Sequence, residues 1–374
     1  MGARIARALV VGGGVAGLSA AVMLLRAGSR VDLVEKDSTW QAAGAGLTIT
    51  AATLRAFRTL GILERVMDEA HTHDGIRVCD VRGRAIEDVR SPSLGEGIPG
   101  AGGILRPVLH RILADAARSL GATVHLGTEV QSLEQDAAGV SVALSGGARE
   151  RYDAVIGADG IHSGLRSLLF PQAPKPRLTG QACWRLMTRR PASIDRRHFF
   201  LGGTGKCGLT PVSPEGMYLF CLEHVPANPW RDPAQQPELL RRLLAQYGGV
   251  VAEVREEIGP RSAIVYRPLE AHVLPGDWFS GRALLIGDAA HASTPQLASG
   301  AGMAAEDGIV VAEELARSDD VPAAFHAFMR RRAERCRMVV ENSMQIGRLE
   351  IAGAPPAEQT AIVARSLQAL AAPI

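Results

Sequence analysis

The chain has 374 residues, 47% of them hydrophobic, with 41 Lys and Arg against 39 Asp and Glu for a net charge of +2. That length exceeds one ordinary core and implies two lobes, or one large α/β unit carrying an insertion. The near-balanced charge, with no Lys/Arg block interleaved with aromatics, argues for a globular protein without a nucleic-acid partner, and the lack of any apolar run of about 18 residues argues against a spanning helix.

At the N-terminus, Arg4, Arg7 and the small apolar residues after them have the outline of a signal peptide. Gly12, Gly13, Gly14 and Gly17 break that outline, and charged Arg26 and Arg30 follow. A strand over Ala8–Val11, a helix over Ala16–Ala27 stopped by Gly28, and a second strand over Arg30–Glu35 account for it better, as a right-handed βαβ start. In the Gly12-Gly13-Gly14-Val15-Ala16-Gly17 loop, Gly12 permits the tight turn and Gly14 lets the backbone approach a pyrophosphate. Gly17 lets helix and strand pack closely, and Glu35 at the next strand end suits ribose hydroxyls.

His71-Thr72-His73 has no cysteine beside it and reads as a solvated loop, with no metal site expected. Asp74–Val89 adds strands. Gly121–Leu126, Val140–Leu144 and Ala154–Gly157 read as further strands, the last leading into Asp159-Gly160. Arg166, a little further on, reads as a helix-surface charge. From Arg177 to Val273 the texture becomes β-rich, with strands over Gln181–Met187, His198–Leu201, Cys207–Val212 and Met217–Glu223 and a helix near Glu238–Tyr247. Next comes a buried strand ending in Gly287-Asp288. Pro295 then leads into Gly300-Ala301-Gly302-Met303, glycines opening a helix whose bare N–H groups favour negative charge. Pro322–Arg348 is a long amphipathic helix, and Pro355-Pro356 separates it from a final one.

A glycine loop at the start and a Gly-Asp strand end far downstream call for a cofactor long enough to reach both. FAD is that long. Cys79, Cys183, Cys207, Cys221 and Cys336 are scattered and odd in number, which points to reduced thiols in a cytoplasmic protein.

These segments, with Gly44-Ala45-Gly46-Leu47, Arg106-Pro107-Val108-Leu109 and Asp159-Gly160, resemble the class A FAD-dependent aromatic hydroxylases, the family of salicylate and para-hydroxybenzoate hydroxylases. The resemblance covers most of the chain. It implies an α/β fold: a Rossmann-like FAD-binding domain, an inserted β-rich substrate domain and C-terminal helices. The divisions expected are 1–73, 101–176 and 274–348 for the FAD lobe, 74–100 and 177–273 for the substrate domain, and 349–374 for the last helix. It places Gly12, Gly14, Val15, Ala16, Gly17, Glu35, Lys36, Gly46, Leu47, Arg106, Asp159, Gly287, Asp288, Pro295, Gly300, Ala301, Gly302 and Met303 against FAD. The sequence departs from the family at Ala298-Ser299-Gly300-Ala301-Gly302, where many members read Gly-Gln-Gly-Ala-Asn, and at Leu186, which follows Trp184-Arg185 in place of a glycine.

The implied reaction takes reducing equivalents from NADH or NADPH and adds O2 to the flavin as a C4a-hydroperoxide, which hydroxylates an electron-rich ring. Transient NAD(P)H binding fits the lack of a second glycine fingerprint. On the inserted sheet, Tyr218 and Phe220 share one face by the two-residue period. Tyr218 can orient a phenol or heterocycle, Lys206 can anchor a carboxylate or enolate, and His224 is a candidate base at the strand end. His291 is read as lying one step removed from the cofactor. Aromatic residues make up 4% of the chain, which favours a small aromatic or heteroaromatic substrate held by few polar contacts. Larger natural products or antibiotics as substrate, or a flavin-binding module without turnover, are the alternatives, and monomer or homodimer is left open.

Overall fold

A computed structural model describes residues 5–41, 44–226 and 230–374. Of the two arginines near the N-terminus, Arg4 lies outside these residues and Arg7 opens the first strand.

Three strands made almost wholly of buried aliphatic residues lie side by side and parallel at the centre of a six-stranded sheet. They are Arg7–Val11, Ala154–Gly157 and Ala283–Leu285, in that spatial order. Arg30–Glu35 and Thr123–Leu126 extend the sheet on the other side of Arg7–Val11, also in parallel, and the short Phe279–Ser280 closes the opposite edge antiparallel. Parallel strands end on the same side of a sheet. The three loops that leave the central strands, at Gly12, Asp159 and Gly287, therefore emerge together although they are far apart in sequence.

Packing over this sheet is unusually close where the sequence has glycine. Gly12 sits at φ +103°, and a Cβ there would lie 2.4 Å from the Ala158 carbonyl oxygen. A Cβ on Gly17 would lie 2.0 Å from the Gly12 carbonyl oxygen, so the Val15–Arg26 helix rests on its own turn with no room for a side chain. The Gly300–Arg317 helix lies against this first helix, and the Val321–Ile351 and Pro356–Ala371 helices follow it.

The β-rich stretch forms a seven-stranded sheet in the order Ile264–Ala271, Arg177–Arg189, Gly216–His224, Lys206–Pro211, Arg197–Leu201, Gly75–Asp80, Ala85–Arg90. The last two strands come from the stretch after His73, and Gly75–Asp80 pairs parallel with Arg197–Leu201. Alternation along Gly216–His224 gives the sheet two faces. Met217, Leu219 and Cys221 pack under the Gln236–Leu244 and Val250–Glu257 helices, whereas Tyr218, Phe220 and Leu222 face the other way.

Two sequence expectations are corrected. His71–His73 is a short strand paired with Ala101–Leu105, not a solvated loop. Burial, with His71 and Arg197 nearby, pulls the His73 imidazole down to about 4. Arg166 is buried rather than a surface charge: its guanidinium donates to the carbonyls of Ala289 at 2.8 Å and Ile161 at 2.7 Å. These bonds tie together the loops that leave two of the central strands.

Candidate active site

A cavity of about 1030 Å³ lies between the strand ends of the six-stranded sheet and the Tyr218 face of the seven-stranded one. Its first wall is made of backbone and glycine. Gly14, Val15 and Ala16 line it at the start of one helix, and Ser299, Gly300 and Ala301 at the start of another. Among the described residues no side chain caps either helix start, so the first-turn N–H groups face the cavity with the helix dipoles behind them. A Cβ on Gly14 or Gly160 would meet nothing within 4 Å, which leaves both glycines open to close approach by a ligand.

Asp288 is exposed to this cavity although it sits deep in the protein. Burial pushes its carboxyl up, and His291 and Arg106 pull it back. The Asp288 carboxylate has no hydrogen-bond partner among the described residues, and neither does the Arg106 guanidinium. Burial and the nearby Arg185 lower the Arg106 value, with Asp288 acting in the opposite sense. Two bare helix ends, an open glycine cradle, a free carboxylate and a free guanidinium in one cleft match the needs of a dinucleotide with a pyrophosphate and a polyol chain. FAD fits the residues present.

At the end of the second strand, Glu35 accepts from the backbone N–H of Gly13 at 2.8 Å and of Asp37 at 2.9 Å. The Gly13 carbonyl accepts from Trp40 Nε1 at 3.2 Å and lies 3.0 Å from His110 Nε2. Neither Trp40 nor His110 carries a motif, and both escape sequence reading.

The turn that carries Asp288 is held from behind. Asp307 accepts from Gly287 N at 2.9 Å and pairs with His291 Nε2 at 2.6 Å, gripping both ends of the turn. Arg332 donates to Asp307 at 2.8 Å and to Glu306 at 2.6 Å, and all of these side chains are buried. Burial opposes charge on Asp307, yet His291 and Arg332 hold it at about 2. Burial likewise opposes charge on His291, but Cys336 and Asp307 outweigh it and raise the imidazole. His291 thus supports the turn rather than facing the cavity.

The second wall is the inserted sheet, with Tyr218, Phe220, Cys183, Arg185, Arg197 and Lys206 among its lining residues. The Tyr218 hydroxyl is 2.9 Å from Thr48 Oγ1, and a Cβ on Gly46 would lie 2.4 Å from the Tyr218 ring. The ring is thereby fixed against the other wall. At the mouth, His162 and Glu270 bridge the two sides at 3.2 Å.

Of the residues expected at FAD, Gly14, Val15, Ala16, Gly46, Leu47, Arg106, Asp288, Pro295, Gly300 and Ala301 line the cavity. Gly12, Gly17 and Gly287 shape the turns beneath it. Lys36 is exposed after the Glu35 strand. The Asp159 carboxylate turns inward and accepts from Ser163 at 2.5 Å and Leu165 N at 3.0 Å, while its neighbours Ala158 and Gly160 form the wall. Gly302 packs on Thr53 and Met303 is buried beneath the helix.

Two substrate-side expectations change. Lys206 does line the cavity, but its ammonium is paired with Glu350 at 3.0 Å. Glu350 also accepts from Gln181 at 3.0 Å and Gln296 at 3.2 Å. His224 is exposed at the strand end and is not part of the cavity wall. Arg197, which sequence reading passed over, is in the wall instead. The signal was there: it alternates with Phe199 on one strand face.

The FAD-binding domain family matches this chain over residues 6–343. The chain is 31% identical over 349 residues to the aurachin C monooxygenase/isomerase of Stigmatella aurantiaca, covering 91% of this chain and 88% of that one. It is 32% identical over 352 residues to a 3-amino-4-hydroxybenzoate 2-monooxygenase of Streptomyces platensis, covering 91% and 87%. Among solved structures, HpxO of Klebsiella pneumoniae in complex with FAD and uric acid superposes with a TM-score of 0.83 at 24% identity, over 98% of this chain and 92% of that one. The chain belongs to this FAD-binding family, as a flavoprotein monooxygenase of the class A aromatic hydroxylase type. Its cofactor is FAD.

Proposed function

We propose that the protein hydroxylates a small aromatic or heteroaromatic compound, consuming NADH or NADPH and O2. The observation that carries this reading is the pairing of walls: a cofactor cradle of bare helix ends, Asp288 and Arg106 faces a rigid aromatic surface of Tyr218 and Phe220 across one cavity. Relatives that act on a hydroxybenzoate and on aurachin C support a ring substrate. In this reading residues 1–73, 101–176 and 274–348 form the cofactor lobe, and 74–100 and 177–273 form the substrate lobe.

When bound, FAD would supply the redox chemistry, accepting hydride and activating O2. The chain supplies position, charge and dryness. The N–H groups at Val15 and Ala16 would hold the pyrophosphate, Glu35 the ribose hydroxyls and Asp288 the polyol. The helix start at Gly300–Ala301 would favour negative charge on a flavin held beside it. Tyr218, fixed by Thr48, orients the substrate ring, and the inserted sheet excludes water.

The test is an absorbance spectrum of the purified protein, followed by aerobic NADH and NADPH oxidation against a panel of phenolic and heteroaromatic compounds. A flavin spectrum with ligand-accelerated oxidation and an oxygenated product is expected. Bound flavin with no acceleration by any ring compound would refute the hydroxylase reading.

A further inference from the structure

We propose that Trp40 and His110 are positioning residues for the cofactor: they clamp the Gly13 carbonyl between them and so aim the Gly14 N–H at the FAD pyrophosphate. The inference rests on the reading above that the first helix start would hold that pyrophosphate, and adds Gly14 to it.

Three glycines in a row, Gly12 to Gly14, make a backbone with little stiffness of its own. At Gly13 the reason for glycine is Trp40: a Cβ there would lie 2.2 Å from the indole Nε1, so the indole fills the place of a side chain. Stiffness is supplied from outside instead. The Gly13 N–H donates to Glu35 at 2.8 Å, and its carbonyl accepts from Trp40 Nε1 at 3.2 Å and lies 3.0 Å from His110 Nε2. A carbonyl oxygen can only accept, so His110 carries its proton on Nε2. Trp40 is held in place at a backbone cost. It sits at φ +48°, a conformation that is unfavourable for a bulky residue and persists where the surroundings over-determine it. Asp37 shapes the turn that delivers it, accepting from Thr39 N at 2.8 Å. The indole then packs edge-on to the His110 ring at 5.2 Å, with the Arg118 guanidinium 4.7 Å from its centroid.

The consequence lies across one peptide bond. In a trans peptide the carbonyl of one residue and the N–H of the next point in opposite directions. Holding the Gly13 carbonyl on Trp40 and His110 therefore holds the Gly14 N–H on the other side of the turn. Gly14 lines the cavity, a Cβ on it would meet nothing within 4 Å, and its N–H has no partner among the described residues. Between two glycines the peptide plane would otherwise be free to turn over. Such a flip would put a carbonyl oxygen where the N–H stands and set partial negative charge against a phosphate. The clamp shuts out that flip. Trp40 has a single donor and spends it on Gly13, so its part is to position the turn and not to bind phosphate itself.

The test is displacement of FAD from the full-length holoprotein by ADP and by adenosine, read from the fluorescence of released flavin, alongside the affinity for FAD itself. Adenosine lacks the phosphates, so the ratio of the two competitors isolates the pyrophosphate site. Wild type should favour ADP over adenosine by roughly 10-fold or more. W40F and H110F each remove one donor and keep a ring. Each should weaken FAD and ADP by about 3-fold and leave adenosine unchanged, because the other donor still holds the carbonyl. With both donors gone the peptide is released, and the double variant should lose about 30-fold. H110Q, which keeps an amide donor near the place of Nε2, should stay within about 2-fold of wild type. Because W40F and H110F act on the same oxygen, either carries the test where the other fails to fold. A loss shared equally by ADP and adenosine overturns the proposal, and so does H110Q as weak as H110F or a double variant that holds FAD as wild type does. Equal binding of ADP and adenosine by wild type would instead overturn the pyrophosphate reading, so the two failures are distinct.

Discussion

Replacing Arg332 with Met tests whether the buried charge cluster behind Asp288 is what holds that turn. The substitution removes the bonds to Asp307 at 2.8 Å and Glu306 at 2.6 Å, with a longer one to the Met303 carbonyl at 3.3 Å. Taking one partner from a buried pair costs about 3–5 kcal/mol, because the remaining charge is left enclosed. Here the acids keep other partners. Glu306 retains Arg335 at 2.9 Å, and Asp307 retains Gly287 N and His291. The lower end, about 3 kcal/mol, is therefore expected. An unfolding entropy of about 2 cal/mol/K per residue over this length turns that into a fall in Tm of about 4 °C. Calorimetry of the FAD-loaded protein measures it. Arg331→Met is the control: Arg331 pairs with Glu313 at 2.8 Å and Glu314 at 2.5 Å but is partly solvated, and should cost about 1 kcal/mol or less. FAD should also dissociate faster from R332M than from R331M, since Asp307 loses one of its anchors. Equal melting of the two variants would refute the argument that this cluster is a support.

Three further outcomes are expected. Asp288→Ala should weaken FAD retention about 10-fold or more, as a charged hydrogen bond to a polyol is lost; unchanged occupancy after gel filtration would remove Asp288 from the cofactor site. Burial holds His73 and His272 at about 4, below the ordinary histidine value, so the folded chain resists protons that the unfolded chain takes up. Stability should fall as pH drops from about 6.5 towards about 4 and flatten below, by on the order of 2 kcal/mol for each ring. Urea unfolding at neutral and acid pH should then show a shallower loss for His272→Gln than for wild type, and equal slopes would sink the assignment. Glu350→Gln should leave Lys206 unpaired and so raise affinity for 3-hydroxybenzoate several-fold, with little change for the neutral amide. No change in either would mean that Glu350 does not set the charge of the cavity.

How much was legible in the sequence follows from where each constraint is written. The cofactor wall could be read because its rules are local. Gly12 and Gly17 have no room for a Cβ, and a strand that ends in Gly287-Asp288 announces itself within a few residues. The alternation of Tyr218 and Phe220 is equally local, and both do face the cavity. Arg166 was misread for the opposite reason: its helix, Gly164–Leu169, is too short to show a buried face, and one of its acceptors lies 123 residues away. His71–His73 is likewise too short a strand to show a period. Lys206 and Arg197 make the point most sharply. Both are basic residues at the start of a strand in the same sheet, and nothing nearby in sequence separates them. What separates them is Glu350, 144 residues downstream of Lys206 on the last turn of the long helix, which reaches one and not the other. Cofactor binding is thus fixed by backbone geometry that each segment carries itself. Which charges in the cavity remain unpaired once the segments meet is a property of pairs that no single stretch of sequence holds.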